Sequence, residues 1–225
     1  MFIVFYNNKE LKFVEANMII WTIQPYSVYQ ELVAKGQFYC DPNKSCNLKE
    51  PDFQAAYAWM IAQLKAKVGL PPNDQIQTPI WAWYRARAFS HTRPDFREHR
   101  DYPDQVCLEL ELDDSQALLS DFDSWHFVLG DNYFAPASNE QEWEALNAWF
   151  DGLTKKDQQA VKEASWQQIF DITPSHDPWT LNGAYVQACF WQLELSQVRG
   201  VWRMKKGEKV RELNTDENGD IVNFL

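Results

Sequence analysis

Residues 106–112 read VCLELEL, and this strict alternation predicts a β-strand with two different faces. The valine and the three leucines fall on one face, while Cys107, Glu109 and Glu111 fall on the other. A strand of this kind covers a core on one side and meets water on the other. We therefore expect a sheet protein in which this strand is half exposed.

Other short apolar runs predict further strands, and helical periodicity separates them. The run MIIWTI ends at Gln24-Pro25, and a proline after a strand forces the chain to leave the sheet. The sequence predicts an α+β fold with a mixed or split antiparallel sheet and several flanking helices. Predicted strands are 18–23, 79–84, 106–112, the start of 117–129, 185–195 and 198–204, and predicted helices are 26–35, 51–68, a short one toward Leu129, 140–150 and 155–170.

Length and polarity predict one domain with two peripheral ends. The chain has 225 residues and is 45% hydrophobic, which suffices for a single core. We expect one globular domain over 18–204. Residues 1–17 are read as an extra N-terminal segment, or as a consequence of translation that starts at Met18 instead of Met1. Residues 205–225 are read as a polar C-terminal tail.

Charge and cysteine spacing exclude several classes of protein. A net charge of -11 argues against a protein that coats nucleic acid through a broad basic face. No apolar run approaches the roughly 20 residues of a membrane span, so a cytoplasmic protein without a membrane partner is expected. The four cysteines lack C-x-x-C spacing, and the histidines lack ligand spacing. We expect reduced thiols and no metal site.

One local exception to the acidic composition is the stretch RARAFSHTRPDFREHR at 85–100, which holds five of the eight arginines. A guanidinium presents a rigid fork of donors that suits phosphate or carboxylate, so the stretch predicts a site for a phosphate-bearing ligand. The alternative is a solvated loop whose arginines pair with neighbouring acids such as Asp95. Arg85 and Arg97 are the stronger individual candidates; the cluster consists of Arg85, Arg87, Arg93, Arg97 and Arg100.

Two groups of acids could do chemistry. Glu109 and Glu111 lie on one strand face, where two carboxylates can share a proton. The alternative, which the usual wet face of an alternating strand favours, is a water-facing polar edge. Asp121 and Asp123 could act as a base or bind a ribose hydroxyl beside Trp125. The alternative is a helix cap with Trp125 as a core anchor.

Several segments in a fixed order resemble a bacterial family catalogued only as a domain of unknown function. The resemblance covers roughly residues 18–204, and the family name implies no activity. The segments are MIIWTIQPYSVYQELVAKGQFYCD, FQAAYAWMIAQLKAKVGLPP, PIWAWY, RPDFR, ALLSDFDSWHFVL, SWQQIFDI and VQACFWQLELSQVRGV.

A second resemblance is to ADP-ribosyltransferase-like domains, through WTIQ, VYQELVAKG, PIWAWYRAR and VQACFW in that order. It implies an ADP-ribosyltransferase-like fold and NAD as substrate. Cys189 stands where that fold places its catalytic glutamate, so the acid would have to come from elsewhere. The implied catalytic candidates are Glu109, Glu111 and Glu194, and the implied NAD-binding candidates are Thr22, Gln24, Tyr84, Arg85, Arg93, Arg97 and Gln187.

Three hypotheses follow from these patterns. The first is an NAD-using transferase or glycohydrolase, toxin-like, that acts on nucleic acid or protein and is controlled by an antitoxin-like protein partner. The second is a non-catalytic module that binds a small nucleotide or another anion. The third is a protein-interaction domain that uses exposed tryptophans.

Overall fold

The computed structural model describes residues 17–44, 49–89, 94–97, 103–215 and 221–222. Its largest element is a seven-stranded sheet, and two small two-stranded sheets accompany it. The strands are β1 (Asn17–Pro25), β2 (Gln37–Phe38), β3 (Ile80–Arg85), β4 (Asp104–Asp113), β5 (Ala117–Asp121), β6 (Val186–Phe190), β7 (Leu193–Glu194), β8 (Val198–Lys205), β9 (Arg211–Glu212), β10 (Asn214–Thr215) and β11 (Ile221–Val222).

The strands of the main sheet follow the order β5-β6-β3-β1-β4-β8-β9, and every neighbouring pair is antiparallel. The sheet is continuous, and the alternating strand that contains VCLELEL lies inside it as β4. Strand β2 pairs with β7, and β10 pairs with β11, outside the main sheet. The predicted α+β class with an antiparallel sheet is confirmed.

Five helices flank the sheet in the described residues, and their ends follow from local chemistry. Gly36 ends the first helix with a φ of 74°, in the left-handed region that favours glycine. Asp121 and Thr154 cap the third and fifth helices through their side-chain oxygens. The helices are α1 (Tyr26–Lys35), α2 (Pro51–Lys67), α3 (Phe122–Leu129), α4 (Glu140–Asp151) and α5 (Lys155–Ser165).

The expectation of one long strand over 185–195 is wrong. The chain leaves the main sheet after Phe190 and forms β7 against β2 instead. A capping box between Glu194 and Gln197 then begins a 3₁₀ turn, which ends the extended conformation. Similarly, the predicted helix 155–170 is α-helical only to Ser165 and continues as a 3₁₀ helix.

Helix α1 covers one side of the sheet, which we call the α1 face. Tyr29 and Leu32 of this helix are fully buried against Ile20, Leu108 and Leu110. These sheet residues occupy alternate positions of β1 and β4, as the period of two requires. The apolar face predicted for VCLELEL therefore lies against α1.

The opposite side of the sheet is covered in two separate parts. Helices α2 and α3 cover β3, β5 and β6 through a cluster that includes Met60, Trp125 and Cys189. The segment that follows β3 covers β1, β4 and β8, where Phe89 and Phe96 pack with Trp202. Among the described residues, no helix has the length and apolar character that crossing a bilayer requires.

Candidate functional site

A row of paired residues crosses five neighbouring strands on the side opposite the α1 face. Glu109 pairs with Trp21, Trp21 with Trp83, Trp83 with Gln187, and Gln187 with Ser120. Directly paired residues on one face have Cβ atoms roughly 5 Å apart, so successive side chains in the row are neighbours. We call these five residues the cross-strand row.

Glu109 is the acid of this row, and it is partly exposed. It makes no hydrogen bond or ion pair with the residues that the structure describes. Its strand neighbour Glu111, by contrast, forms an ion pair with Arg199 and accepts a hydrogen bond from Asn17 at 3.2 Å. The two glutamates predicted as a pair thus have different surroundings, and of the two only Glu109 lacks a partner among the described residues.

Two indoles near Glu109 have unused donors. Trp21 stacks on Phe89, with ring centroids 5.3 Å apart, and Trp202 lies so close to Gly200 that a Cβ there would meet its ring at 2.5 Å. Gly200 itself pairs with Glu109. The Nε1 atoms of both tryptophans are buried and have no hydrogen-bond partner among the described residues. Burial, and then the charge of Glu109, raise the pKa of Cys107 in the same region.

Three of the predicted NAD-binding residues lie on the α1 face. The Thr22 hydroxyl is buried and donates to the carbonyl of Trp81 at 2.8 Å, and Gln24 donates to the Thr22 hydroxyl at 2.8 Å. Tyr84 packs at the edge of the core beneath α1. The sheet therefore separates these side chains from the cross-strand row.

Arg85 and Asp121 lie close together, and both are hydrogen-bonded to the backbone of Gly183. Both pair with Val186 from opposite sides of β6. Arg85 donates to the carbonyls of Gly183 and of Ile172, the latter at 3.3 Å, and Asp121 accepts from the Gly183 N–H at 2.8 Å. We call this arrangement the Gly183 clamp, and it fixes the segment that precedes β6.

The remaining described arginines of the cluster surround a small concavity. Arg87, Ala88, Asp95 and Arg97 line a volume of about 310 Å³. Arg97 binds Asp95 through Nε, at 2.8 and 2.9 Å to the two carboxylate oxygens, and this pairing lowers the pKa of Asp95 to about 2. This is the ion pair that the alternative interpretation of the cluster predicts. Arg93, which was also expected to bind NAD, and Arg100 lie outside the described residues.

Strand β6, where the resemblance expects a catalytic acid, contributes Gln187 and no acid to the cross-strand row. Gln187 is buried and donates to the Ser120 hydroxyl at 3.3 Å. Cys189 is buried, and this burial raises its pKa, so it serves as a small apolar side chain rather than a nucleophile. Glu194 lies on β7, outside the main sheet, where its backbone N–H donates to the Gln197 side chain at 2.8 Å at the start of a 3₁₀ turn. Glu194 is therefore separated from the row.

A larger groove opens beside α3. It has a volume of about 680 Å³ and is lined by residues of three segments, 121–127, 134–143 and 168–182. Asp121 and Asp123 both line it, whereas Trp125 is buried beneath α3 as the alternative interpretation predicts. Asp123 is exposed, and its pKa is raised by partial desolvation at the groove wall and then by the nearby Asp121 carboxylate.

The structure thus separates the predicted site residues from one another. They lie in the cross-strand row, on the α1 face, in the Gly183 clamp, in the 680 Å³ groove, at the 310 Å³ concavity beside Arg97, on β7 at Glu194 and in the Glu111–Arg199 ion pair. Trp21 and Trp83 were not predicted as site residues, although the alternation of side chains along each strand places both on the side opposite the α1 face. Among the described residues, no group of three histidines, cysteines or acids could hold a metal ion.

These features define an α+β protein with a continuous antiparallel sheet. A family described as "Domain of unknown function (DUF3841)" matches residues 19–199, and the chain belongs to this family. No curated protein and no solved structure gave a match. The resemblance to ADP-ribosyltransferase-like domains stays a prediction.

Proposed function

We propose that this protein is an ADP-ribosyltransferase-like enzyme that uses NAD at the cross-strand row, with Glu109 as the catalytic carboxylate. The observation that carries the proposal is the state of Glu109: a partly exposed acid without a partner among the described residues, beside Trp21. An enzyme of this kind needs an acid that is available to the substrate, and an aromatic surface on which a base can stack.

The reaction breaks the bond between the nicotinamide nitrogen and C1′ of the ribose. The nicotinamide leaves with the bonding electron pair, and positive charge develops on the ribose. A carboxylate next to C1′ stabilises that charge in the transition state. Water or a hydroxyl or amino group of a target then attacks C1′ and loses its proton to solvent. The products are ADP-ribose or an ADP-ribosylated target.

The topology supports this proposal. The three strands that carry the resemblance are β1, β3 and β6, and they are direct neighbours in the sheet. The arginine segment after β3 packs on the same side of the sheet as Glu109, because Phe89 and Phe96 belong to the cluster of Trp202. Arg87 lies on this segment and is our candidate for binding a phosphate group of NAD. Arg85 binds the Gly183 carbonyl in the clamp.

The proposal includes a cytoplasmic location, where NAD is present and the thiols stay reduced. The acceptor would be a nucleic acid or a protein. A toxin-like activity of this kind would also require control by an inhibitory protein partner.

The test is incubation with NAD labelled in its adenosine part, together with candidate nucleic acids and proteins, while free nicotinamide is measured. We expect release by the unmodified protein and a loss of roughly 100-fold or more in Glu109→Gln. Glu111→Gln is the matched control, because it changes the neighbouring acid on the same strand face. Calorimetry that shows no binding of NAD by the unmodified protein would remove the proposal.

A second candidate is a nucleotide-binding module without catalysis. It is favoured by Cys189, which is buried at the place where the resemblance expects an acid. In that case NAD binds and no nicotinamide is released. The same incubation therefore separates the two candidates.

A further inference from the structure

The 680 Å³ groove beside α3 is lined by residues that take no part in the proposed reaction of NAD. It is lined by exposed aromatic side chains and by carboxylates, and its position beside α3 and α4 is separate from Glu109. Volumes of roughly 300–1,000 Å³ are typical of binding sites. The groove therefore has the size of a binding site of its own, and its role does not depend on the proposed NAD reaction.

Exposed tryptophans in the groove indicate that it binds a partner. Trp143 and Trp179 line the groove and are 45% and 41% exposed, and Leu181 beside them is 65% exposed. Tryptophan is enriched among the residues that dominate protein interfaces, because its large ring gains much when a partner covers it. Two such rings in one groove form an apolar surface that a partner can cover.

The charge of the groove also indicates what it binds. The lining segments 121–127, 134–143 and 168–182 contain six acids and no lysine or arginine. The acids are Asp121, Asp123, Glu140, Glu142, Asp171 and Asp177. Asp123 and Asp171 line the groove directly. A surface of one sign attracts a ligand of the other sign, so the groove fits a cation and repels phosphate.

The exposure of helix α4 indicates how large a ligand of the groove is. None of its twelve residues is buried, although it carries Trp143 and Trp149. Trp149 is 51% exposed and lies outside the groove lining. Within the groove, the exposed parts of Trp143, Trp179 and Leu181 together offer more apolar area than a small cation would cover. A segment of another protein fits this area better.

We propose that the groove between α3 and α4 docks a basic segment of a partner protein, with an arginine side chain held by Trp143, Trp179 and the carboxylates of Asp123 and Asp171. Arginine fits better than lysine, because a planar guanidinium stacks on indole rings and also donates to carboxylates in pairs. The Gly183 clamp holds the segment that carries Trp179, so this wall of the groove is fixed before the partner arrives.

The test uses a fluorescently labelled synthetic peptide in which arginines alternate with leucine and glycine. Its isostere with citrulline, which removes the charge and keeps the shape, is the comparison. We expect saturable binding of the arginine peptide, measured by fluorescence anisotropy, and a dissociation constant at least about tenfold weaker for the citrulline peptide. Trp179→Ala and the double variant Asp123→Asn with Asp171→Asn should each weaken binding of the arginine peptide about tenfold or more.

Trp149→Ala is the matched control, because it removes an exposed tryptophan of α4 that does not line the groove. It should leave the dissociation constant unchanged. Equal binding of the two peptides, no binding of the arginine peptide, or an equal loss in Trp149→Ala and Trp179→Ala would each overturn the proposal. If Trp179→Ala does not fold, the two aspartate substitutions at exposed positions decide the result.

Discussion

The two sides of the seven-stranded sheet differ in what they leave unsatisfied. On the α1 face, fully buried apolar side chains such as Ile20 and Leu110 pack beneath one helix, and the polar Thr22 has a partner, whereas the buried Tyr29 hydroxyl has none among the described residues. On the opposite side, Glu109 and two buried indole N–H groups have no partner among the described residues. The buried indole donors are covered by protein, whereas Glu109 is partly exposed and can be reached by a ligand. The opposite side therefore carries the candidate site in addition to its two apolar clusters.

The largest expected effect is on the free energy of unfolding, and it distinguishes the two sides of the sheet. Leu110→Ala removes a fully buried side chain from the α1 face and should lower the free energy of unfolding by about 2–5 kcal/mol. Glu109→Gln, one residue earlier and on the other side, should change it by less than about 0.5 kcal/mol. Denaturant unfolding of both variants makes the comparison. A loss in Glu109→Gln as large as that in Leu110→Ala would show that Glu109 is structural.

A smaller effect is expected at the Gly183 clamp. Arg85→Ala leaves the carbonyls of Gly183 and Ile172 without their donor, and should cost about 1–3 kcal/mol. Limited proteolysis should then cleave the segment before β6 faster than in the unmodified protein. Arg97→Ala is the control, since its ion pair with Asp95 is exposed, and it should not change cleavage there. Unchanged cleavage in Arg85→Ala would contradict the clamp.

The smallest effect depends on pH and concerns the edge of the α1 face. Hydrogen bonds from Arg203 lower the pKa of Asp104, and the Arg203 guanidinium lies 3.7 Å from the ring centroid of Tyr26. Because the pKa is lower in the folded state, the carboxylate stabilises the fold at neutral pH, and this contribution is lost as the pH falls through the folded pKa. Asp104→Asn should therefore cost at most about 1 kcal/mol at neutral pH.

The same variant should match the unmodified protein in strongly acidic solution, where Asp104 is protonated in both folded and unfolded states. Unfolding curves across a pH series measure the difference. A difference that stays constant down to low pH would mean that the Asp104 carboxylate charge does not contribute.

Local patterns predicted most of the fold. Alternation located β4, and the helix predicted over 26–35 has the same bounds as α1. The break after Phe190 in the late strand could not be predicted in this way, because pairing between β2 and β7 joins residues far apart in sequence.

The site was less predictable for the same reason. Glu109 was among the predicted acids, but nothing in the local sequence distinguishes it from Glu111. The difference arises from Arg199 on the adjacent β8, which pairs with only one of them. Likewise, the carbonyl partners of Arg85 come from a segment far later in the chain, so a guanidinium that suits phosphate is used to hold the backbone.

The most direct test of the account is nicotinamide release from NAD by Glu109→Gln and Glu111→Gln, compared with the unmodified protein under the same conditions. The account predicts release by the unmodified protein and by Glu111→Gln, and a loss of roughly 100-fold or more in Glu109→Gln with its stability unchanged. Equal release by the two variants would contradict it.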